Sequence, residues 1–135
     1  MQILDTKLKN FVSLCGTHKC FEVENFTKKQ LTDKDCHYLR YCLMRFIYNN
    51  QSVIYEFMED EFLDHVEGTN RQKCIYFDVD EEASICENSL YIGSFDGYEF
   101  EENWVLKCLE MTAENRVILN IYNNENEQYK YYLID

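Results

Sequence analysis

Apolar residues in the first part of the chain recur at helical spacing. Between Leu4 and Cys15 they lie three or four residues apart, and Gly16 follows at the position of a left-handed helix cap. This pattern predicts a first helix over residues 3–15.

The second helix has a well-marked start. Thr32 is a favoured N-cap residue, and Asp33 and Asp35 place negative charge in the first turn, where it suits the positive end of the helix dipole. Asn49 and the asparagine after it mark the end. The predicted apolar stripe consists of Leu39, Leu43, Phe46 and Ile47.

Residues 52–67 allow two interpretations. Val53 and Ile54 fit the start of a strand. We favour a helix that ends at Gly68, because helical spacing of apolar residues continues as far as Val66, over more than three turns. Its other face would be acidic and would carry Glu56, Glu59, Asp60, Glu61, Asp64 and Glu67.

After Gly68 the apolar period changes to two, which is typical of strands. Turn-forming pairs such as Asp96-Gly97 separate the apolar segments, and short links between successive strands favour an antiparallel meander. A further short strand is indicated around Phe21 and Val23. The main predicted strands cover residues 73–79, 89–93, 104–111, 116–122 and 128–134.

The order of elements predicts an α+β fold, with N-terminal helices packed on one face of a C-terminal antiparallel meander sheet of about five strands. We expect one domain over residues 1–135, with a helical part at about 1–67 and a sheet part at about 73–134. The predicted core consists of Leu8, Phe11, Leu39, Leu43, Phe46, Ile75, Leu106, Leu119 and Ile121.

Charge narrows the classes of partner. The chain has 25 acidic and 13 basic residues, a net charge of −12. A protein that binds nucleic acid or anionic lipid needs a surplus of Lys and Arg, so we expect no nucleic acid and no membrane as partner. No apolar run approaches the ~20 residues of a membrane span, and the first residues lack the apolar core of a signal peptide. These features favour a cytoplasmic protein.

Seven cysteines, an odd number, favour reduced thiols over a disulfide framework. Cys42, Cys74 and Cys108 lie within apolar segments and are expected to behave as small buried hydrophobes. Zinc-ligand types also occur together near the N-terminus, although their spacing matches no common zinc pattern. The sequence leaves open whether zinc is bound by Cys15, His18, Cys20, Cys36 and His37.

Two acidic runs, at 78–82 and 96–102, concentrate negative charge and are interleaved with aromatic residues. Like charges repel, so a fold keeps them together for solubility or for a partner of opposite charge. We interpret the runs as a surface for a basic protein, with Tyr98 as an aromatic anchor. The predicted contact residues are Asp78, Asp80, Glu81, Glu82, Asp96, Tyr98, Glu99, Glu101 and Glu102.

The sequence carries no motif for catalysis. The four glycines never cluster, so no phosphate-binding loop is present, and no cysteine stands beside a well-placed histidine and acid. We therefore predict no catalytic residues, no metal and no cofactor, and a protein that is not an enzyme.

The function that fits best is a small acidic inhibitor. We expect an immunity protein, or antitoxin, that neutralises a basic, nuclease-like toxin by occluding its active site. One alternative is a phage or viral DNA mimic that antagonises a host defence enzyme. Another is a metal-dependent enzyme that uses Asp78, Asp80, Glu81 and Glu82. The protein itself is expected to be a monomer, or a homodimer through the C-terminal edge strand at Gln128–Ile134.

Overall fold

The structure is a computed structural model that describes residues 21–49, 54, 66–69, 72–75, 77–80, 88–93, 97–100 and 103–135. These residues contain one helix, α1, at Asp33–Asn49. The strands are β1 (Phe21–Val23), β2 (Val66–Thr69), β3 (Gln72–Ile75), β4 (Val79–Asp80), β5 (Leu90–Ile92), β6 (Tyr98–Glu99), β7 (Trp104–Met111), β8 (Val117–Asn123) and β9 (Gln128–Leu133). The predicted helix at 3–15, with Leu8 and Phe11, lies outside the described residues.

Helix α1 starts at the residue where its capping signals predict. The backbone N–H of Asp35 donates to Thr32 Oγ1 at 3.2 Å, and the N–H of Thr32 donates to Asp35 Oδ2 at 3.0 Å. This reciprocal pair satisfies two donors that a helix start leaves without intrahelical partners. The helix ends at Asn49, so both of its predicted ends are confirmed.

Nearly all the strands belong to one antiparallel sheet, in the order β1-β9-β8-β7-β5-β4, and β6 also pairs with β7. Strands β7, β8 and β9 form a meander with short turns, in which Leu106 is opposite Ile121 and Leu119 is opposite Tyr132. A register shift in β7 lies between Leu106 and Cys108. The α+β class and the antiparallel meander are therefore confirmed.

Helix and sheet residues contribute to a common core. Leu39, Leu43 and Phe46 of α1 belong to the same buried hydrophobic cluster as Leu106 and Leu119 of the sheet. Ile121 belongs to this cluster too, and so does the thiol-bearing Cys42. These core predictions are confirmed. Cys42 and Cys108 are both buried, reduced thiols, as predicted.

Residues 66–75 correct two predictions. Val66–Thr69 was expected at the end of a helix, but it is a strand, and it pairs with Gln72–Ile75 in a separate two-stranded sheet. Gly68 therefore lies within a strand and does not end a helix. The single strand predicted at 73–79 is divided between β3 in that small sheet and β4 at the margin of the main sheet. The helical spacing of apolar residues misled the prediction here, because the pairing of β2 with β3 decides the local structure.

The C-terminal strand is not an edge of the sheet along its last residues. Tyr131, Tyr132 and Leu133 of β9 pair with β1, and β8 lies on the other side. The open edge predicted at Gln128–Ile134 is therefore covered at Tyr131–Leu133, and the homodimer through this strand stays a prediction. Local sequence patterns could not predict this pairing, because β1 comes from the beginning of the described chain.

The described part of the chain contains no helix that combines the length and the apolar character needed to cross a membrane.

Candidate partner-binding edge

The described parts of both acidic runs lie on the same side of β7. Strand β8 pairs along one side of β7, while β5 and β6 pair along the other. Strand β4, which begins the first acidic run, pairs with β5, and Asp80 is opposite Tyr91. In strand β6, Glu99 of the second run is opposite Val105 of β7. Sheet pairing therefore brings together two segments that are separate in the sequence.

Tyr98 joins these two segments directly. Its phenol oxygen accepts a hydrogen bond from the backbone N–H of Asp78 at 3.1 Å. Its ring meets the Phe77 ring edge-on, with ring centroids 4.7 Å apart. The centroid of the Phe100 ring lies 6.5 Å from that of Phe77. Edge-to-face contacts of this kind add to the stability gained by burying the rings.

The burial of Tyr98 corrects its predicted role. Its side chain is only 5% exposed, so it does not stand free as an aromatic anchor for a partner. Instead, it holds the Asp78 segment against the β6 segment. Strand β6, which contains Tyr98, was not among the strands predicted from the sequence.

Two glycines shape the loops that carry the acidic residues. Gly93 has φ +77°, and its N–H donates to the carbonyl oxygen of Asp78 at 2.6 Å. Gly97 has φ +76°, and a Cβ there would lie 2.6 Å from Val105 Cγ1 and 2.7 Å from the carbonyl oxygen of Leu106. Only glycine fits this position, because both the backbone angle and the space exclude a side chain.

The carboxylates at this edge differ in their surroundings. Asp78 is exposed, and Glu99 is half-buried and accepts a hydrogen bond from Asn124 Nδ2 at 2.9 Å. Asn124 belongs to the turn between β8 and β9. The backbone N–H of Asn124 donates to the carbonyl oxygen of Asn103 at 2.9 Å. The turn therefore lies beside the second acidic run.

This turn adds a carboxylate that the sequence interpretation missed. Glu125 accepts a hydrogen bond from Asn103 Nδ2 at 3.3 Å and is exposed. The acidic residue was visible in the sequence, but the approach of its turn to Glu99, through Asn124, depends on the pairing of β7 with β8. We call Asp78, Glu99 and Glu125 the acidic rim. Of the other predicted contact residues, Asp80 is described by its backbone, and Glu81, Glu82, Asp96, Glu101 and Glu102 lie outside the described residues.

A second group of polar residues is buried within the sheet. Glu110 is 6% exposed, and its Oε1 accepts hydrogen bonds from Asn120 Nδ2 at 3.0 Å and from Cys108 Sγ at 3.5 Å. Lys28 Nζ lies 3.9 Å from the same oxygen and donates to Ser89 Oγ at 2.8 Å. The only sequence signal for this group was an acidic residue within an otherwise apolar strand.

The surroundings of the Cys108 thiol disfavour its reactive, deprotonated form. Burial raises the pKa of Cys108, and the negative charge of neighbouring Glu110 raises it further. The thiol is therefore protonated at neutral pH, whereas the thiolate is the reactive form. The polar group instead satisfies buried hydrogen-bonding atoms inside the sheet.

Over the described residues, no group of three or more His, Cys, Asp or Glu side chains has an arrangement that suits a metal ion. No protein-family model, curated protein or solved structure matches this chain.

Proposed function

We propose that this protein is a small acidic inhibitor that binds a basic protein through the acidic rim. The partner would be a toxin or nuclease domain, and the complex would form in the cytoplasm, as it does for immunity proteins. Inhibition follows from occlusion, because a protein seated over a basic active site excludes its nucleic-acid substrate.

The observation that carries this proposal is the convergence of the two acidic runs on one side of β7. Asp78 of the first run and the preceding Phe77 are held against Tyr98 of the second run by a hydrogen bond and a ring contact. A buried scaffold beneath the exposed Asp78 and the half-buried Glu99 keeps these charges in a defined arrangement. Because the charges are already held in place, less conformational entropy is lost on binding.

The negative charge also suits the kinetics that an inhibitor of a harmful enzyme needs. Complementary charge steers two proteins together and raises the association rate above the neutral value of roughly 10⁵–10⁶ M⁻¹s⁻¹. A net charge of −12 supplies a long-range field of the required sign. Exposed rim charges act mainly on the association step and on its dependence on salt.

A tagged pull-down from the native host tests the proposal. The wild-type protein and two charge-reversed variants are compared at low and moderate salt, with mass spectrometry of the eluate. The first variant, Asp78→Lys with Glu99→Lys, reverses the rim. The matched control, Asp33→Lys with Glu114→Lys, changes the net charge equally at two exposed positions away from it.

We expect one stoichiometric basic protein to elute with the wild type and with the control, and to be lost with the rim variant or in moderate salt. The purified pair should then show stoichiometric loss of the partner's activity. Equal capture by the rim variant, or an acidic or neutral partner, would refute the proposal. Capture of a DNA-binding defence enzyme would favour the DNA-mimic alternative.

A further inference from the structure

The solvent side of α1 carries a continuous row of large side chains. Tyr38, Tyr41, Met44 and Tyr48 are respectively 44%, 56%, 69% and 74% exposed. Tyr38, Tyr41, the exposed Arg45 and Tyr48 follow the i, i+3, i+7, i+10 spacing of a single helix face, and Met44 lies beside Arg45 at i+6. The buried residues of α1 occupy the opposite face. We call these five residues the tyrosine stripe.

The stripe differs from the rest of the protein in charge. From Cys36 to Asn49 the helix contains His37, Arg40 and Arg45 and no acidic residue, whereas the whole chain has a net charge of −12. Two copies of such an acidic chain repel each other over most of their surface. Over Cys36–Asn49 this helix face adds no negative charge of its own, and the charge of Asp135 that acts on Tyr38 is opposed by that of Arg45, so the repulsion between two copies is reduced here.

The stripe is also complementary to itself. Four of its five positions are symmetric about residue 43, since 38 and 48 are equally distant from it, and so are 41 and 45, whereas Met44 has no counterpart in the stripe. If two copies of α1 pack antiparallel about a twofold axis at this point, Tyr38 of each meets Tyr48 of the other. Arg45 of each then lies on the Tyr41 ring of the other. A twofold interface requires this kind of reciprocal match.

The predicted contact between Arg45 and Tyr41 is chemically favourable. A guanidinium group over the face of a tyrosine ring is attracted by the negative charge density of that face. Within one copy, Arg45 Cζ already lies 5.8 Å from the centre of the Tyr41 ring. The side chain is therefore long enough and correctly placed to reach a ring packed beside its own helix.

The exposed area is large enough for a weak dimer. Taking ~200 Å² for a full tyrosine, the stripe offers about 500 Å² per copy, or about 1,000 Å² for two. This total matches the lower end of specific protein interfaces. Tyrosine, methionine and arginine are also the residue types enriched at such interfaces. We propose that the tyrosine stripe is a homodimer interface in which two α1 helices pack antiparallel.

Sedimentation equilibrium of the full chain tests this proposal, from roughly 1 µM to 1 mM, a range that covers the dissociation constants of small interfaces. We expect the mass to rise from one chain to two. Tyr41→Ser and Arg45→Ser should each weaken the dimer by about tenfold, which is a typical loss for an interface anchor. Tyr129→Ser is the matched control, because Tyr129 is exposed on the sheet and not on α1.

An exchange of the two residues provides a rescue. The double variant Tyr41→Arg with Arg45→Tyr keeps each arginine opposite a tyrosine across the twofold axis, so the dimer should recover. Circular dichroism of each variant checks that α1 is intact. A single-chain mass at every concentration would overturn the proposal. So would a dimer unaffected by Tyr41→Ser, or a stripe that binds only a different, acidic protein.

Discussion

The phenol oxygen of Tyr98 accepts a hydrogen bond from the backbone N–H of Asp78, at a distance of 3.1 Å and across twenty residues of chain. This bond connects the first acidic run to the second. It also explains how a buried tyrosine contributes to an exposed surface: Tyr98 sets the position of a backbone segment whose carboxylate faces the solvent. The arrangement of the acidic rim therefore depends on a buried group.

Tyr98→Phe removes only this hydroxyl group. We expect it to lower the free energy of unfolding by about 1 kcal/mol, because the N–H of Asp78 then loses its partner in a partly buried position. Denaturant unfolding measures the change. The matched control is Tyr129→Phe, whose hydroxyl accepts only an exposed bond from Lys107 Nζ and should matter little. Equal losses in the two variants would contradict the role given to Tyr98.

Gly97→Ala should destabilise the protein by about 1–3 kcal/mol. A methyl group at this position enters the left-handed region of backbone angles and approaches Val105 and the backbone of Leu106. Thermal unfolding gives the size of the effect. In contrast, Glu127→Gly should be neutral or slightly stabilising, because Glu127 has φ +57° in an exposed turn. A neutral Gly97→Ala would show that the loop does not need this conformation.

The cap of α1 should make stability depend on acidic pH. Partial burial tends to raise the pKa of Asp35, but hydrogen bonds from Thr32 and Lys29, with the charge of Lys29, outweigh it and lower the pKa below its usual 3.8. A carboxylate with a depressed pKa contributes stability in full above the unfolded value. That contribution is lost as the pH falls through the folded value.

Asp35→Asn measures this contribution. At neutral pH we expect it to cost about 1 kcal/mol, a usual value for a helix cap, and the difference from wild type should shrink as the pH falls below 4. Asp33→Asn serves as the control, because Asp33 is an exposed acid in the same helical turn. An Asp35→Asn difference that is constant from pH 7 to pH 2 would argue against this explanation.

The buried face of α1 should tolerate little change. Leu43 is 3% exposed, so Leu43→Ala leaves a cavity in the core and should cost about 2–5 kcal/mol. Its neighbour Met44 is 69% exposed, and Met44→Ala should have almost no effect on the stability of the dilute protein. Denaturant midpoints of the two variants provide the comparison. A near-neutral Leu43→Ala would mean that the helix presents another face to the core.

Local signals predicted α1 and the meander well. The cap at Thr32 and Asp35 and the strand at Trp104–Met111 depend on residues close together in the sequence. The errors arise where distant segments decide the outcome. Residues 66–69 form a strand because they pair with 72–75, and β9 is covered by β1, more than a hundred residues earlier.

The candidate site was predictable in composition but not in geometry. Asp78, Tyr98 and Glu99 were selected from charge and aromatic content, and the structure brings their segments together. The burial of Tyr98 and the approach of Glu125 could not be read from the sequence, because both follow from the pairing of β7 with its neighbours. Period-two patterns identify strands, but they do not identify which strands pair with each other.

The most direct test of the acidic rim is the association rate with the captured basic partner, measured by stopped-flow mixing at several ionic strengths. For Asp78→Lys with Glu99→Lys, we predict an association rate at least ~10-fold lower than that of the Asp33→Lys with Glu114→Lys control, a weaker salt dependence, and a nearly unchanged dissociation rate. Equal association rates for the two variants would contradict the assignment of the rim as the binding surface.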